Sequence, residues 1–234
     1  MVFPVLSFSS HPLTVGAITD AKALAGNFGT ESADLVELRL DALGSGQAVI
    51  DFAQRHHGQI PLLITARTPE EGGANQLAFE KRLELLQILL PYAAAVDVEV
   101  AQAEAYSDFL GEARANGTKV VLSSHDFVGF DHVATLERLS LAQSAGADVA
   151  KAAVTLRDPV DLTLFESLVA GLGEVPFSLM GMGAYGPISR ILAAQHGSLL
   201  NYGFLGDEPT APGQWPARLL KEVIANTPAI AVKN

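Results

Sequence analysis

The chain contains no cysteine. A disulfide framework and any thiolate metal site are therefore excluded, and the composition fits a reducing compartment. Basic residues are scarce: 15 Lys+Arg stand against 26 Asp+Glu, for a net charge of -11. No Lys/Arg cluster exceeds a pair, so the electrostatic footprint of a nucleic-acid binder is missing. The field of the whole molecule repels anions, and a few local arginines would have to overcome it at an anionic substrate. Long apolar runs are absent too. The most apolar stretch, "LLQILLPYAAAV", is interrupted by Gln87 and Pro91 and is too short to span a bilayer. The opening "MVFPVLSFSSHPLTVG" shows neither a basic n-region nor a small-residue cleavage pattern, so no signal peptide is read. A cytoplasmic protein with no membrane and no nucleic-acid partner is expected.

What is present is a large apolar fraction, 49% of 234 residues, enough for a sizeable core. Apolar runs of strand length fall at Thr14–Ile18, Leu35–Leu38, Leu62–Thr65, Val96–Val98, Lys119–Leu122, Val149–Ala152, Phe177–Met180 and Leu199–Phe204. Several are continuous rather than alternating, as in strands covered on both faces. Segments of helical period separate them. "ANQLAFEKRLELLQILLPY" places Leu83, Leu86 and Leu90 at helical spacing and stops at Pro91. "DHVATLERLSLAQSAG" opens on a capping Asp131 and closes on Gly146. "DPVDLTLFESLVAGLG" and "PISRILAAQHG" have similar punctuation, and further helices are expected over Asp20–Phe28, Gln47–His57, Glu104–Asn116 and Pro216–Ala225. Eight strand–helix units in alternation predict an α/β fold, a (β/α)8 TIM barrel formed by residues 1–234 as a single domain. A doubly wound open sheet is the alternative. Residues before Thr14 are expected to form an N-terminal hairpin closing the barrel bottom, and the tail after Ala225 to be loosely held.

In such barrels the site lies at the C-terminal strand ends. Polar residues gather there: Glu37, Arg39 and Asp41 in "VELRLD"; Arg67, Glu70 and Glu71 in "TARTPEEGG"; Ser124, His125 and Asp126 in "LSSHDF"; Arg190 in "MGMGAYGPISR"; Thr210 and Gln214 in "PTAPGQ". Each alone has a plain structural explanation, whether a surface histidine, a same-face ion pair on a strand or a turn. Six strands converging on one rim do not. Lys151, inside "AGADVAKAAVTLRD", could snorkel from a strand end, but at a barrel rim it suggests a Schiff base with a carbonyl substrate. An ordinary lysine pKa of ~10.4 leaves about one molecule in 2,500 neutral at pH 7. Lowering it by about three units takes ~4 kcal/mol. Burial among small apolar neighbours and the nearby Arg39 and Arg67 act in that direction. The metal-ligand spacing that would go with His125 is missing, so neither a metal nor a cofactor is expected. The glycine-rich "GMGAYG" before a helix could hold a phosphate, against which Asp207 and Glu208 stand in the next loop.

The segments "ELRLD", "TARTPEEGG", "SSHDF", "DVAKAAV", "MGMGAYGPISR" and "TAPGQ", in this order from Glu37 to Gln214, resemble the type I 3-dehydroquinate dehydratases, Schiff-base lyases of the shikimate pathway. The resemblance implies that Lys151 forms an imine with the C3 ketone of 3-dehydroquinate. It implies that His125 removes a C2 proton and then donates to the departing C1 hydroxyl, and that Glu71 orients His125. Arg190 would hold the substrate carboxylate, Glu37, Arg39 and Arg67 the ring hydroxyls, and Gln214 with its loop would close over the substrate. Serine usually precedes "APGQ" in that family; here it is Thr210, which keeps the hydroxyl and adds a methyl. The resemblance also implies a homodimer. Two other readings share the barrel: a class I aldolase acting on a phosphorylated sugar, and a non-catalytic ligand sensor, which would have lost Lys151 or His125.

Overall fold

The structure, a computed structural model, describes residues 12–173 and 175–230. Eight strands carry the architecture: β1 (Leu13–Ile18), β2 (Leu35–Arg39), β3 (Leu62–Thr65), β4 (Ala95–Glu99), β5 (Lys119–Asp126), β6 (Val149–Thr155), β7 (Phe177–Met182) and β8 (Leu200–Phe204). All ladders are parallel, in the order β7-β6-β5-β4-β3-β2-β1-β8. A two-residue strand, β9 (Trp215–Pro216), adds to the far side of β8 at Gly203 and Phe204. The sheet curls toward closure between β7 and β8, where Leu199 N–H donates to the Phe177 carbonyl at 2.8 Å. Leu179 N–H donates to Ser198 Oγ at 3.2 Å beside it. This is the expected TIM-barrel-like α/β fold.

The helices are α1 (Leu40–Leu43), α2 (Gln47–His56), α3 (Phe79–Leu89), α4 (Ser107–Ala115), α5 (His132–Ser144), α6 (Pro159–Gly171), α7 (Gly186–Gln195) and α8 (Ala217–Ala225). Their ends follow local chemistry. Asp131 accepts from Ala134 N–H to start α5, and Asp158 accepts from Val160 and Asp161 N–H to start α6. The alternation breaks in the first unit. Over Asp20–Phe28 only a 3₁₀ turn forms, Ala21–Ala25, capped by Asp20 and stopped at Gly26. The turn closes through i→i+3 bonds, Ala23 N–H to the Asp20 carbonyl at 3.1 Å and Gly26 N–H to the Ala23 carbonyl at 3.0 Å. Strands β5, β6 and β7 run two to four residues beyond the apolar segments that announce them, because the ladder continues through the polar His125 and Asp126. The hairpin expected before Thr14 falls largely on residues 1–11, outside the described residues. As far as residue 230, where the description ends, the tail is better tied than expected: Gln195 Nε2 donates to the Pro228 carbonyl and Ile230 N–H to the Gln195 carbonyl, at 3.0 and 2.9 Å.

Two apolar cores follow from the two-residue strand period. Val36, Leu38, Ile64, Val96, Leu122, Ala150 and Ala152 face outward and pack under the helices. Leu35, Leu63, Ala95, Val121 and Val149 face the barrel axis near the strands' N-terminal ends. One period further along the same inward faces stand Glu37, Thr65, Asp97, Ser123 and Lys151, all buried. The barrel interior thus changes from apolar to ionisable within about one strand period, and that boundary is the floor of the site.

Candidate active site

At the C-terminal rim a cavity open at its mouth is lined by the nine residues to which the family resemblance gave roles, whereas Asp41, Glu70, Ser124 and Asp126 of the same motifs do not line it. Lys151, from β6, is 4% exposed, and it does not snorkel. Its Nζ donates to Asp97 Oδ2 at 2.8 Å and lies 3.9 Å from the centroid of the Tyr202 ring. Only part of its expected setting is found. Ala150 and Ala152 face the helices, so the amine meets ions rather than alanines. Burial pushes its pKa down; Asp97 pulls the other way, and Arg67 again lowers it. Arg39, expected to help, is not among the main influences.

Asp97 is itself fully engaged. Its Oδ1 accepts from Arg67 Nη2 at 2.9 Å and from Ser123 Oγ at 2.6 Å. Burial would raise this carboxyl, but Arg67 and then Lys151 overcome it and hold it well below the usual carboxylate range. Arg67 also donates to Glu99 Oε1 at 2.9 Å and Ser123 Oγ at 2.6 Å. Burial opposes its charge, yet Asp97 and Glu99 raise its pKa further. Glu37 and Arg39 are not a pair. Glu37 accepts from Thr65 Oγ1 at 2.7 Å. Arg39 meets Asp41 through two hydrogen bonds, at 2.9 and 2.8 Å, and reaches the Gly72 carbonyl. Asp41 in turn accepts from Arg67 N–H and Ala74 N–H, at 3.1 and 2.9 Å. The loop bearing Glu71 is thereby stapled to the end of β2.

His125, at the end of β5, holds Nδ1 2.9 Å from Glu71 Oε2. Burial, then Arg67 and Lys151, hold its pKa well below the ordinary imidazole value, so the ring is neutral near pH 7. Burial pushes the Glu71 carboxyl up to about 7, partly offset by Arg67. Arg190, in α7, donates to the Tyr202 carbonyl at 2.9 Å and leaves Nε unpartnered. No carboxylate pairs with it among the described residues, and burial lowers its pKa to about 10. Such a cation is costly unless an anion completes it. Thr210 and Gln214 are bound to each other: Thr210 N–H and Oγ1 both donate to Gln214 Oε1, at 2.8 and 2.7 Å. Their loop rests on the turn before α7, where Gly183 N–H donates to the Pro212 carbonyl. At Gly213, with φ +72°, a Cβ would run into the Gly183 carbonyl, so only glycine fits. Asp207 and Glu208 are exposed and do not line the cavity, which removes the sequence-based objection to a phosphate.

The sequence reading missed Asp97, Glu99 and Tyr202, along with Phe127, Met180 and Met182 of the lining. The signal for the first two was available. In "AVDVEV" the carboxylates sit two apart among valines, on one strand face, as Glu37 and Arg39 do.

Fold and rim together define a barrel enzyme equipped to attack a carbonyl with an amine and to move protons with an imidazole. The chain belongs to the type I 3-dehydroquinase family, whose model matches residues 11–227. Among curated proteins, the 3-dehydroquinate dehydratase of Methanothrix thermoacetophila is 32% identical over 202 residues, covering 86% of this chain and 85% of that protein. The Enterococcus faecalis enzyme of the same name is 32% identical, covering 91% and 89%. The crystal structure of 3-dehydroquinate dehydratase from Geobacillus kaustophilus superposes with a TM-score of 0.80 at 25% identity, covering 92% of this chain and 91% of that one. Among the described residues no helix is long and apolar enough to cross a membrane.

Proposed function

We propose that this chain dehydrates 3-dehydroquinate to 3-dehydroshikimate through an imine on Lys151. Family membership supports the reaction, and one observation supports the assignment of roles. The Lys151 amine, the His125 ring and the unpaired Arg190 open onto one cavity. The neutral amine attacks the C3 ketone, and the carbinolamine takes up one proton, such as the one the ammonium gave up, and loses water to leave a protonated imine. That cation acidifies the C2 hydrogens, since the nitrogen takes up the electron pair as an enamine. With Glu71 ionised and accepting the Nδ1–H, His125 presents an unprotonated Nε2 to the substrate as a general base. The same imidazole, now protonated, donates to the C1 hydroxyl as it leaves. Hydrolysis of the imine frees the product and the lysine. Arg190 binds the substrate carboxylate. Glu37, Arg39 and Arg67 address the ring hydroxyls with the hydrogen-bonding capacity their present partners leave, and Thr210 and Gln214 close the mouth. The aldolase alternative loses its ground to the family membership.

The reading takes residues 1–234 as one domain acting in the cytoplasm as a homodimer. The location rests on the absence of cysteine and the assembly on the family resemblance. The decisive experiment is borohydride reduction in the presence of 3-dehydroquinate, followed by intact-mass and peptide analysis. A single reduced adduct on Lys151 is expected; no adduct, or one elsewhere, overturns the mechanism.

A further inference from the structure

We infer that Asp97 and the face of Tyr202 are positioning groups that keep the Lys151 nitrogen cationic in both the free enzyme and the imine. This rests on the imine-forming role of Lys151 proposed above. The geometry is specific. Oδ1 of Asp97 is consumed by Arg67 and Ser123, while Oδ2 is bound by Lys151 Nζ. On another side the nitrogen stands 3.9 Å from the Tyr202 ring centroid, where a cation is attracted by the ring quadrupole. The other ionisable groups facing this nitrogen are Arg67 after β3, Glu37 on β2 and His125 on β5. Arg67 opposes a positive charge, and it is already neutralised by Asp97 and Glu99.

The chemistry makes a fixed counter-ion useful. Ammonium and ketone become protonated imine and water: two N–H hydrogens leave with the ketone oxygen, and the single positive charge stays on nitrogen. A carboxylate and a π face that select for that charge serve the resting enzyme and the intermediate alike. They also keep the imine protonated, the state that acidifies C2. The burial that favours a neutral amine is thus opposed by design, and attack proceeds from the neutral fraction.

The test is the pH dependence of borohydride trapping by 3-dehydroquinate, read beside kcat. Asn in place of Asp97 can keep its carbonyl toward Arg67 and Ser123 while turning NH₂ toward the lysine. Asp97→Asn is expected to move the rising limb of trapping down by about one to three pH units, the effect of losing an adjacent opposite charge. It is also expected to lower kcat about 10-fold or more, the scale of a charge-assisted hydrogen bond. Tyr202→Leu should shift the limb in the same direction and Tyr202→Phe should not, since phenylalanine keeps the π face. General structural damage would slow trapping without moving the limb, so an unmoved limb in Asp97→Asn overturns the inference. Should that variant fail to fold, the tyrosine pair decides: different limbs support the inference, and coincident limbs overturn it. Failure of the wild type to trap on Lys151 overturns the imine reading and this inference with it.

Discussion

Lys151 and His125 divide the proposed reaction between them, and their surroundings are independent enough to be separated. The lysine answers to Asp97, Arg67 and Tyr202; the histidine is held by Glu71 from a different loop. Removing the imidazole therefore leaves the amine and its ionic partners in place. His125→Ala is expected to retain the reducible adduct on Lys151 while losing turnover. Acid–base assistance from one group contributes ~10²–10⁴-fold, and a residue serving both proton removal and proton donation should cost more than that range. Steady-state kinetics alongside intact-mass trapping decide the matter. A variant that still turns over normally removes His125 from its role, and one that no longer traps shows that the two residues are not separable.

Elements set the precision with which these side chains meet, and the lid shows how. The Thr210–Gln214 loop folds onto itself through the threonine hydroxyl and leans on the Gly183 turn. Thr210→Val keeps the methyl and deletes the hydroxyl, leaving Gln214 held by the backbone N–H alone. One neutral hydrogen bond is worth about 0.5–1.5 kcal/mol, so KM for 3-dehydroquinate should rise ~2- to 10-fold, while Thr210→Ser leaves it unchanged. Equal KM values in the two variants would show the hydroxyl to be idle. At this scale the sequence was legible wherever one strand carried its own evidence. Apolar runs located all eight strands, and caps such as Asp131 and Asp158 located helix starts. Polar residues at the strand ends named nine of the cavity's lining residues. What stayed hidden depends on partners from other strands. No local pattern in "DVAKAAV" says that Asp97 lies opposite Lys151, since 54 residues separate them. The missing first helix was hidden for another reason: over Asp20–Phe28 the composition permits a helix, but Gly26 ends the turn. Tyr202 carried no signal of its own inside the apolar run Leu199–Phe204, and only the barrel's curvature brings Lys151 over its face.

The whole molecule bears the cost of keeping two groups in unusual protonation states, and the two costs run in opposite directions with pH. His125 is held neutral, its folded pKa well below 6.5. As pH falls through ~6.5 the unfolded chain gains a proton that the folded chain refuses, so this group's contribution to stability is lost toward acid. Glu71 is the reverse. Its folded pKa of about 7 lies above the ordinary 4.5, so its contribution is full below ~4.5 and is lost as pH rises through about 7. Between pH ~5 and ~6.5 the native state holds one proton on Glu71 that the unfolded state lacks and lacks one on His125 that the unfolded state holds. The two slopes offset each other, each at most ~1.4 kcal/mol per pH unit. Asp41 and Asp97, held below the usual carboxylate range by Arg39 and by Arg67 with Lys151 against the pull of burial, add losses only at lower pH. Replacing Glu71 with glutamine removes one side of the balance. The stability of Glu71→Gln, measured by urea unfolding at half-unit steps from pH 5 to 6.5, is expected to climb with pH relative to wild type at up to ~1.4 kcal/mol per unit. The remaining histidines are common to both proteins and cancel in the difference. Parallel stability curves would mean that Glu71 carries no extra proton in the folded state, and that its carboxylate faces His125 fully ionised throughout this range.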